Sequence, residues 1–288
     1  MRIDVLKIPL PLLEQYLRED VPFGDVTSEA VVLGIPCQAG IVTREDGVIA
    51  GVDEASTLLS SLGLRVQSLV TDGSRVRAGS RILEISGPAE TILMAERTVL
   101  NILGRMSGIA TRTRKIVDQV QAINPQCRVA STRKTAPGLR ILDKKAVMLG
   151  GGDSHRYSLS DMILIKDNHL SLVPLREAIS RALRQSPYRR IEVEVTTSAM
   201  AEEAARLGVP IIMLDNMSPE VVAQTLRLLD QTGLRKGLLI EVSGRITEEN
   251  LVAYASLPVD IISMGSLTHT VSVMDLDLEI LEPAPQPV

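Results

Sequence analysis

From residue 127 onward the chain alternates short apolar runs with helical stretches, a pattern that builds a parallel sheet or barrel. The apolar runs lie at 127–130, 162–165, 191–195, 211–214, 238–242 and 259–262. Helical stretches separate them at 139–149, 174–184, 198–207, 218–230 and 247–256. At or just after each run stands a polar or glycine residue able to act: Arg133-Lys134, Lys166, Glu194, Asp215, Ser243-Gly244 and Ser263-Met264-Gly265. Barrels of this class build their active sites at the carboxyl ends of the strands. One such residue would be an ordinary solvated loop; six in register point to a single site.

The basic members form three clusters. Arg133-Lys134 follows the run ending at Ala130, His155-Arg156 follows Gly150-Gly151-Gly152, and Lys166 follows Met162 to Ile165. A lone lysine after a buried strand usually snorkels to solvent. Three clusters, each beside a strand end or glycine turn, predict a convergent anion pocket. Glu194 and Asp215 fit either of two roles. They could bind magnesium through oxygen, with water and a substrate phosphate completing the shell, or pair with Arg and Lys across the pocket. Spacing leaves both open. Ser243-Gly244 and Ser263 to Gly265 suit phosphate binding by backbone N–H groups, with a helix capped by Thr247 after the first loop. Tight turns would explain either loop alone.

The first 110 residues have a different rhythm. Leu10, Leu13 and Leu17 predict a helix, and Pro22-Phe23-Gly24-Asp25 a turn, with Thr27 able to cap the next element. Residues 37–90 read as short strands around one helix near 54–62. Val76 to Gly87 looks like a strand pair of a lipoyl- or biotin-carrier sandwich, which would make the chain a swinging-arm carrier. No lysine lies between Lys7 and Lys115 to be acylated, so the likeness is one of shape. Residues 90–123 predict a long helix, with a break expected near Ser107-Gly108. Its apolar stripe holds Ile92, Val99, Leu103, Met106 and Ala110. Arg97 lies roughly 200° round the helix from Val99, so periodicity gives it to solvent. The change of pattern near residue 110 is the expected domain boundary, and the proline-rich residues 282–287 an expected frayed end.

Composition excludes other classes. A net charge of −4 argues against a general nucleic-acid binder. No apolar run reaches membrane-spanning length, and the first twenty residues lack a signal peptide's unbroken apolar stretch. Cys37 and Cys127 form neither a metal motif nor a disulfide framework. A cytoplasmic enzyme is the expectation.

The motifs TRKTAPGLR, GGGDSHR, LIKDNH, EVEV, MLDN and SMGSLTH occur in an order that resembles quinolinate phosphoribosyltransferase, as do EDVPFGDVTS and AERTVLNILGRMSGIAT upstream. The resemblance covers nearly the whole chain. It implies an α/β fold of type II phosphoribosyltransferases: an N-terminal α/β sandwich over 1–110, with 270–288 packing back onto it, and a C-terminal open α/β barrel over 111–269. It implies that quinolinate and phosphoribosyl pyrophosphate become nicotinate mononucleotide, carbon dioxide and pyrophosphate, with Mg2+, in de novo NAD biosynthesis. Quinolinate would be held by Arg133, Lys134, His155, Arg156 and Lys166, joined by Arg97 from the partner subunit of a homodimer or higher assembly of dimers. That reverses the solvent reading of Arg97. Phosphoribosyl pyrophosphate would contact Lys134, Lys166, Glu194, Asp215, Ser243, Gly244, Arg245, Ser263 and Gly265. Lys134, Lys166, Glu194 and Asp215 would be catalytic, and the two carboxylates would face magnesium. The chain departs from the family at Ser154 (usually Asn), Ser158 (usually Gly) and Arg245 (often Gly). These departures leave open a related enzyme acting on another ring substrate.

Overall fold

The structure, a computed structural model, describes residues 7–185 and 187–283. By contacts the chain divides into two compact units. One holds the chain up to Arg114, Ala136–Gly151 and the segment from Thr270; the other holds Lys115–Thr135 and Gly152–His269.

The first unit opens with α1 (Leu10–Asp20) and α2 (Val26–Val31). Asp25, rather than the expected Thr27, caps α2: its carboxylate accepts from the backbone N–H groups of Thr27 and Ser28. Then come β1 (Pro36–Thr43), β2 (Gly47–Val48), α3 (Val52–Ser61), β3 (Arg65–Ser68), β4 (Arg75–Val76) and β5 (Arg81–Pro88). The long helix α4 (Ala89–Ile123) continues without the expected break. Gly104 and Gly108 serve contact instead. A Cβ on Gly108 would lie 1.8 Å from the Ser272 carbonyl oxygen, and the Met274 N–H donates to the Gly104 carbonyl at 2.9 Å. The segment after residue 270 can therefore lie directly on the helix.

In the second unit come β6 (Arg128–Ala130), then, beyond α5 (Arg140–Leu149), β7 (Ile163–Ile165), α6 (Asp167–Leu170), α7 (Leu175–Gln185), β8 (Ile191–Val195), α8 (Ser198–Arg206), β9 (Ile211–Asp215), α9 (Pro219–Gln231), β10 (Leu239–Ser243), α10 (Leu251–Ala255), β11 (Ile261–Ser263) and α11 (Ser266–His269). The last described element is β12 (Leu276–Pro283), antiparallel to β1, in a first-unit sheet of order β12-β1-β5-β3. Of the frayed end expected at 282–287, Glu282 and Pro283 instead belong to β12, paired with Gln38 and Cys37; the rest lies outside the described residues.

Helix α5 falls in the first unit, although 136–151 lie within the stretch expected to form the barrel. Charge pairing ties it there. Arg105 grips the fully buried Asp143 with two hydrogen bonds of 2.8 and 2.9 Å. Buried Lys145 lies 2.7 Å from buried Glu54 and 3.4 Å from both Asp53 and Asp72. Removing one partner from such a buried pair is costly, so these pairs fix α5 in this unit.

The second unit is a six-stranded parallel sheet of order β6-β11-β10-β9-β8-β7. Strands covered on both faces read as continuous apolar runs rather than alternating ones. Val193, Ile212, Ile240 and Ile262 at its centre are fully buried. Because the strands are parallel and in register, with Ser243 opposite Asp215 and Ser263 opposite Ala130, their carboxyl ends lie level.

Candidate active site

Those strand ends open into a cavity of about 590 Å³ within the second unit. It is lined by Arg133, Lys134, His155, Arg156, Lys166, Glu194, Asp215, Ser243, Gly244, Arg245 and Ser263, all expected from the sequence. Gly265 is not in the lining. A Cβ there would lie 3.1 Å from Lys134 Cδ, so the glycine makes room for the lysine stem. Arg97 is in the first unit, exposed on α4, and lines a separate groove with Tyr16, Asp20 and Asn101. Its outward direction is the one periodicity gives.

The cavity is short of anions. The side chains of Arg133, Lys134, Arg156 and Arg245 make no hydrogen bond or ion pair among the described residues. Arg133 Nε is sealed from solvent without a partner. Burial lowers the affinity of Arg156 for its proton, and the neighbouring Arg133 lowers it further. Cations left unpaired and partly desolvated are what a site for a multiply charged anion requires. Lys166, at the end of β7, is matched: it donates to Glu194 on β8. Lysine pairing, one of the two roles open to Glu194, is thus present.

Three non-glycine residues have positive φ among the described residues: His155 (52°), Asn216 (54°) and Arg245 (51°). All three line this cavity. Strained backbone of this kind collects at functional sites, held by its surroundings. The His155 N–H donates to Asp153 Oδ1 at 2.8 Å, and the Arg245 carbonyl accepts from Asn250 Nδ2 at 3.1 Å. Two of the departures from the family pattern have local roles. Ser158 closes a turn onto Asp161, its N–H and hydroxyl donating at 3.0 and 3.1 Å. The Ser154 hydroxyl donates to the His155 carbonyl at 3.1 Å.

The helix expected after Ser243-Gly244 begins at Leu251, not at 247, and Thr247 does not cap it. The Asn250 side chain instead accepts from the Thr247 N–H at 2.8 Å, holding residues 247–250 in a turn. The donors this loop can offer are thus its backbone N–H groups and the Arg245 guanidinium, not a helix end.

Asp215 accepts from the Asn216 amide at 2.5 Å. It and Glu194 put hard carboxylate oxygens on neighbouring strands at the cavity, a donor set that fits magnesium completed by water and phosphate.

Five polar lining residues, Ser131, Thr132, Asp167, Asn216 and Glu241, are not among those expected from the sequence, nor are the apolar Leu164 and Met213 or Glu192 beside them. His155 Nε2 lies 3.1 Å from Glu192 Oε2 and 3.4 Å from Glu241 Oε2, and Ser263 Oγ donates to Glu241. Burial disfavours the imidazolium, but the two carboxylates outweigh it and push His155 up to about 10. Burial pushes the Glu192 carboxyl up as well. An acid inside an otherwise apolar strand must find a partner, and that signal was available at IEVEV and LIEVS.

Similarity to known proteins extends over the whole of this architecture. Models of the quinolinate phosphoribosyl transferase N-terminal and C-terminal domains match residues 25–107 and 109–279. A probable nicotinate-nucleotide pyrophosphorylase [carboxylating] of Methanothermobacter thermautotrophicus is 42% identical over 274 residues, covering 94% of this chain and 98% of that one. The nicotinate-nucleotide pyrophosphorylase [carboxylating] of Homo sapiens is 35% identical over 281 residues, covering 96% and 93%. The crystal structure of NadC from Streptococcus pyogenes superposes with a TM-score of 0.87 at 36% identity, covering 94% of this chain and 96% of that one. With its cation-lined cavity at the strand ends and both domains matched, the chain belongs to the quinolinate phosphoribosyltransferase family.

Proposed function

We propose that this chain transfers the phosphoribosyl group of phosphoribosyl pyrophosphate to quinolinate, with decarboxylation, to give nicotinate mononucleotide, carbon dioxide and pyrophosphate in de novo NAD biosynthesis. The observation that carries this reading is the set of unpaired cations Arg133, Lys134 and Arg156 around one cavity, joined by His155 held as an imidazolium. A pyridine dicarboxylate supplies the two charges they lack. The Ser243-Gly244-Arg245 turn and Ser263 are offered to the 5′-phosphate of the other substrate.

The chain's residues then act mainly by position and charge. Arg133, Arg156 and His155 hold the carboxylates and aim the ring nitrogen at the anomeric carbon. The nitrogen bonds to that carbon as the carbon–oxygen bond to pyrophosphate breaks. Lys134 and Lys166 neutralise the departing oxyanion. Glu194 and Asp215 face the positive charge that develops on the ribose. Bonding leaves the nitrogen cationic, so the 2-carboxylate can depart as carbon dioxide. The electron pair left on the ring carbon, stabilised by that nitrogen, then takes a proton. Glu194 and Asp215 would hold magnesium, which when bound spreads the pyrophosphate charge.

Two further parts belong to this reading. Arg97, exposed and without a partner among the described residues, completes the quinolinate site of a second copy in a homodimer or assembly of dimers. The cytoplasm is the compartment proposed, in keeping with two buried free cysteines. Among the described residues no helix is long and apolar enough to cross a membrane.

The test is turnover with phosphoribosyl pyrophosphate and magnesium, following carbon dioxide from quinolinate and pyrophosphate from nicotinate in parallel. Quinolinate should react far faster, because nicotinate leaves desolvated cations unpaired. Equal rates would contradict the assignment and favour another ring substrate.

A further inference from the structure

His155 has two ring nitrogens, and the fold spends only one. Nε2 lies 3.1 Å from Glu192 Oε2 and 3.4 Å from Glu241 Oε2. Nδ1 has no hydrogen bond among the described residues and is not one of the atoms sealed from solvent. His155 lines the cavity, so Nδ1 is the polar atom it can offer there. The backbone is committed to this arrangement, for φ at His155 is 52° and Asp153 Oδ1 holds its N–H.

The glutamates come from separate strands, Glu192 from β8 and Glu241 from β10, and both are essentially fully buried. Neither Glu192 oxygen, nor Glu241 Oε2, makes a hydrogen bond among the described residues, so the His155 ring at 3.1 and 3.4 Å is the cation they face as ion-pair partners. Glu241 is anchored from its other oxygen by the Ser263 hydroxyl on β11. Two buried carboxylates converging on one nitrogen of a ring at the cavity wall form a device for fixing that ring and its charge.

We propose that Glu192 and Glu241 are positioning residues for substrate binding: they turn Nε2 of His155 inward and keep the ring charged, so that Nδ1–H is always available to donate to a carboxylate of quinolinate. His155 is then a fixed cation rather than an acid–base group. The shift of His155 to about 10 agrees with this geometry. The other charged groups sharing the cavity are Arg133, Lys134, Arg156, Lys166, Asp167, Glu194, Asp215 and Arg245. The cations there disfavour imidazolium, and of the acids only Glu192 and Glu241 lie within ion-pair distance of the ring among the described residues. The inference rests on quinolinate being the ligand.

The chain has three histidines, so the imidazole nitrogens of 15N-labelled enzyme can be assigned by replacing each in turn. In the wild type His155 should remain an imidazolium at pH 8. A neutral ring there, or a metal ion bound by His155, Glu192 and Glu241, would overturn the proposal, and neither readout depends on turnover. In Glu192→Gln/Glu241→Gln the ring should titrate near its ordinary value. At pH 8 the KM for quinolinate should then rise about tenfold, the weight of one charge-assisted hydrogen bond, while the KM for phosphoribosyl pyrophosphate stays within about twofold. At pH 6, where the freed imidazole recharges, quinolinate KM should recover relative to wild type at the same pH. Loss of both substrates together without recovery at pH 6 would mean a structural role and sink the idea. Should that variant fold poorly, Ser263→Ala should shift quinolinate KM in the same direction by less; an unchanged KM would count against the proposal. A wild type with no quinolinate turnover would fail the functional assignment instead, leaving the charge state of His155 still measurable.

Discussion

Gly244 and Asn216 leave no room between them: a Cβ on Gly244 would lie 2.5 Å from Asn216 Oδ1 and 2.7 Å from its backbone nitrogen. Gly244 also has φ of +92°, which a side chain rarely adopts. Asn216 is itself in the left-handed region and donates to Asp215. Gly244→Val should therefore displace both the phosphate turn and Asp215. The expected result is weaker binding of phosphoribosyl pyrophosphate with quinolinate binding retained, measured by calorimetry with each ligand alone. Equal loss of both would indicate misfolding.

Arg156 is 8% exposed and has no partner among the described residues, so its guanidinium is held in reserve for a ligand. Arg156→Ala should cost about 2 kcal/mol or more in quinolinate binding, which is roughly thirtyfold in Kd. Arg156→Lys should recover little of it, because a point charge cannot reproduce the planar fork. Titration with quinolinate would check both; full recovery in the lysine variant would show that only charge matters.

Arg97 and Lys134 should complement between subunits. Arg97→Ala and Lys134→Ala homodimers should each be nearly inactive. In a mixed isologous dimer one site carries both lesions and the other neither. Random exchange makes about half the dimers mixed, each with one intact site, so about a quarter of wild-type activity should return. With exchange verified by mass spectrometry of tagged subunits, activity that stays at the parental level would place Arg97 within its own chain's chemistry.

Asp143 is fully buried and held by both arms of the Arg105 hydrogen-bonding fork. Asp143→Ala removes one partner of a buried pair and should lower stability by about 3 kcal/mol or more. Asp143→Leu/Arg105→Met, which removes both charges, should recover much of that. Urea midpoints at constant slope would test it; a double variant no more stable than the single one would contradict it.

His155 sets a pH dependence of stability. Its folded value of about 10 lies above the ordinary 6.5. The stabilisation is therefore fully present below about pH 6.5 and is lost as pH rises through about 10. Thermal midpoints should fall across that window more steeply in the wild type than in His155→Gln. Parallel curves would mean that the two glutamates do not hold a proton on the ring.

Local pattern determined a good deal. The run of apolar strands from 127, each paired with a helix, dictated a parallel sheet, and a parallel sheet must level its carboxyl ends. Arg133, Lys166, Asp215 and Ser243 were therefore assigned to one site by their order along the chain. Arg97 was placed outward by periodicity alone, since helical geometry is local. Three things were not local. Gly108 looked like a helix break because its partner, the Ser272 carbonyl, is far along the chain. Residues 136–151 looked like barrel because their helical spacing says nothing about which unit covers them; Arg105 and Glu54 decided that. Glu192 and Glu241 stand out as acids within apolar strands, but no neighbour in sequence names their partner, His155, which only packing supplies. The chain alone decided which residues end the strands, since secondary structure depends on neighbours a few positions away. Only the tertiary structure could bring His155 between two carboxylates from β8 and β10, because pairing of buried charges is settled by packing across the sheet.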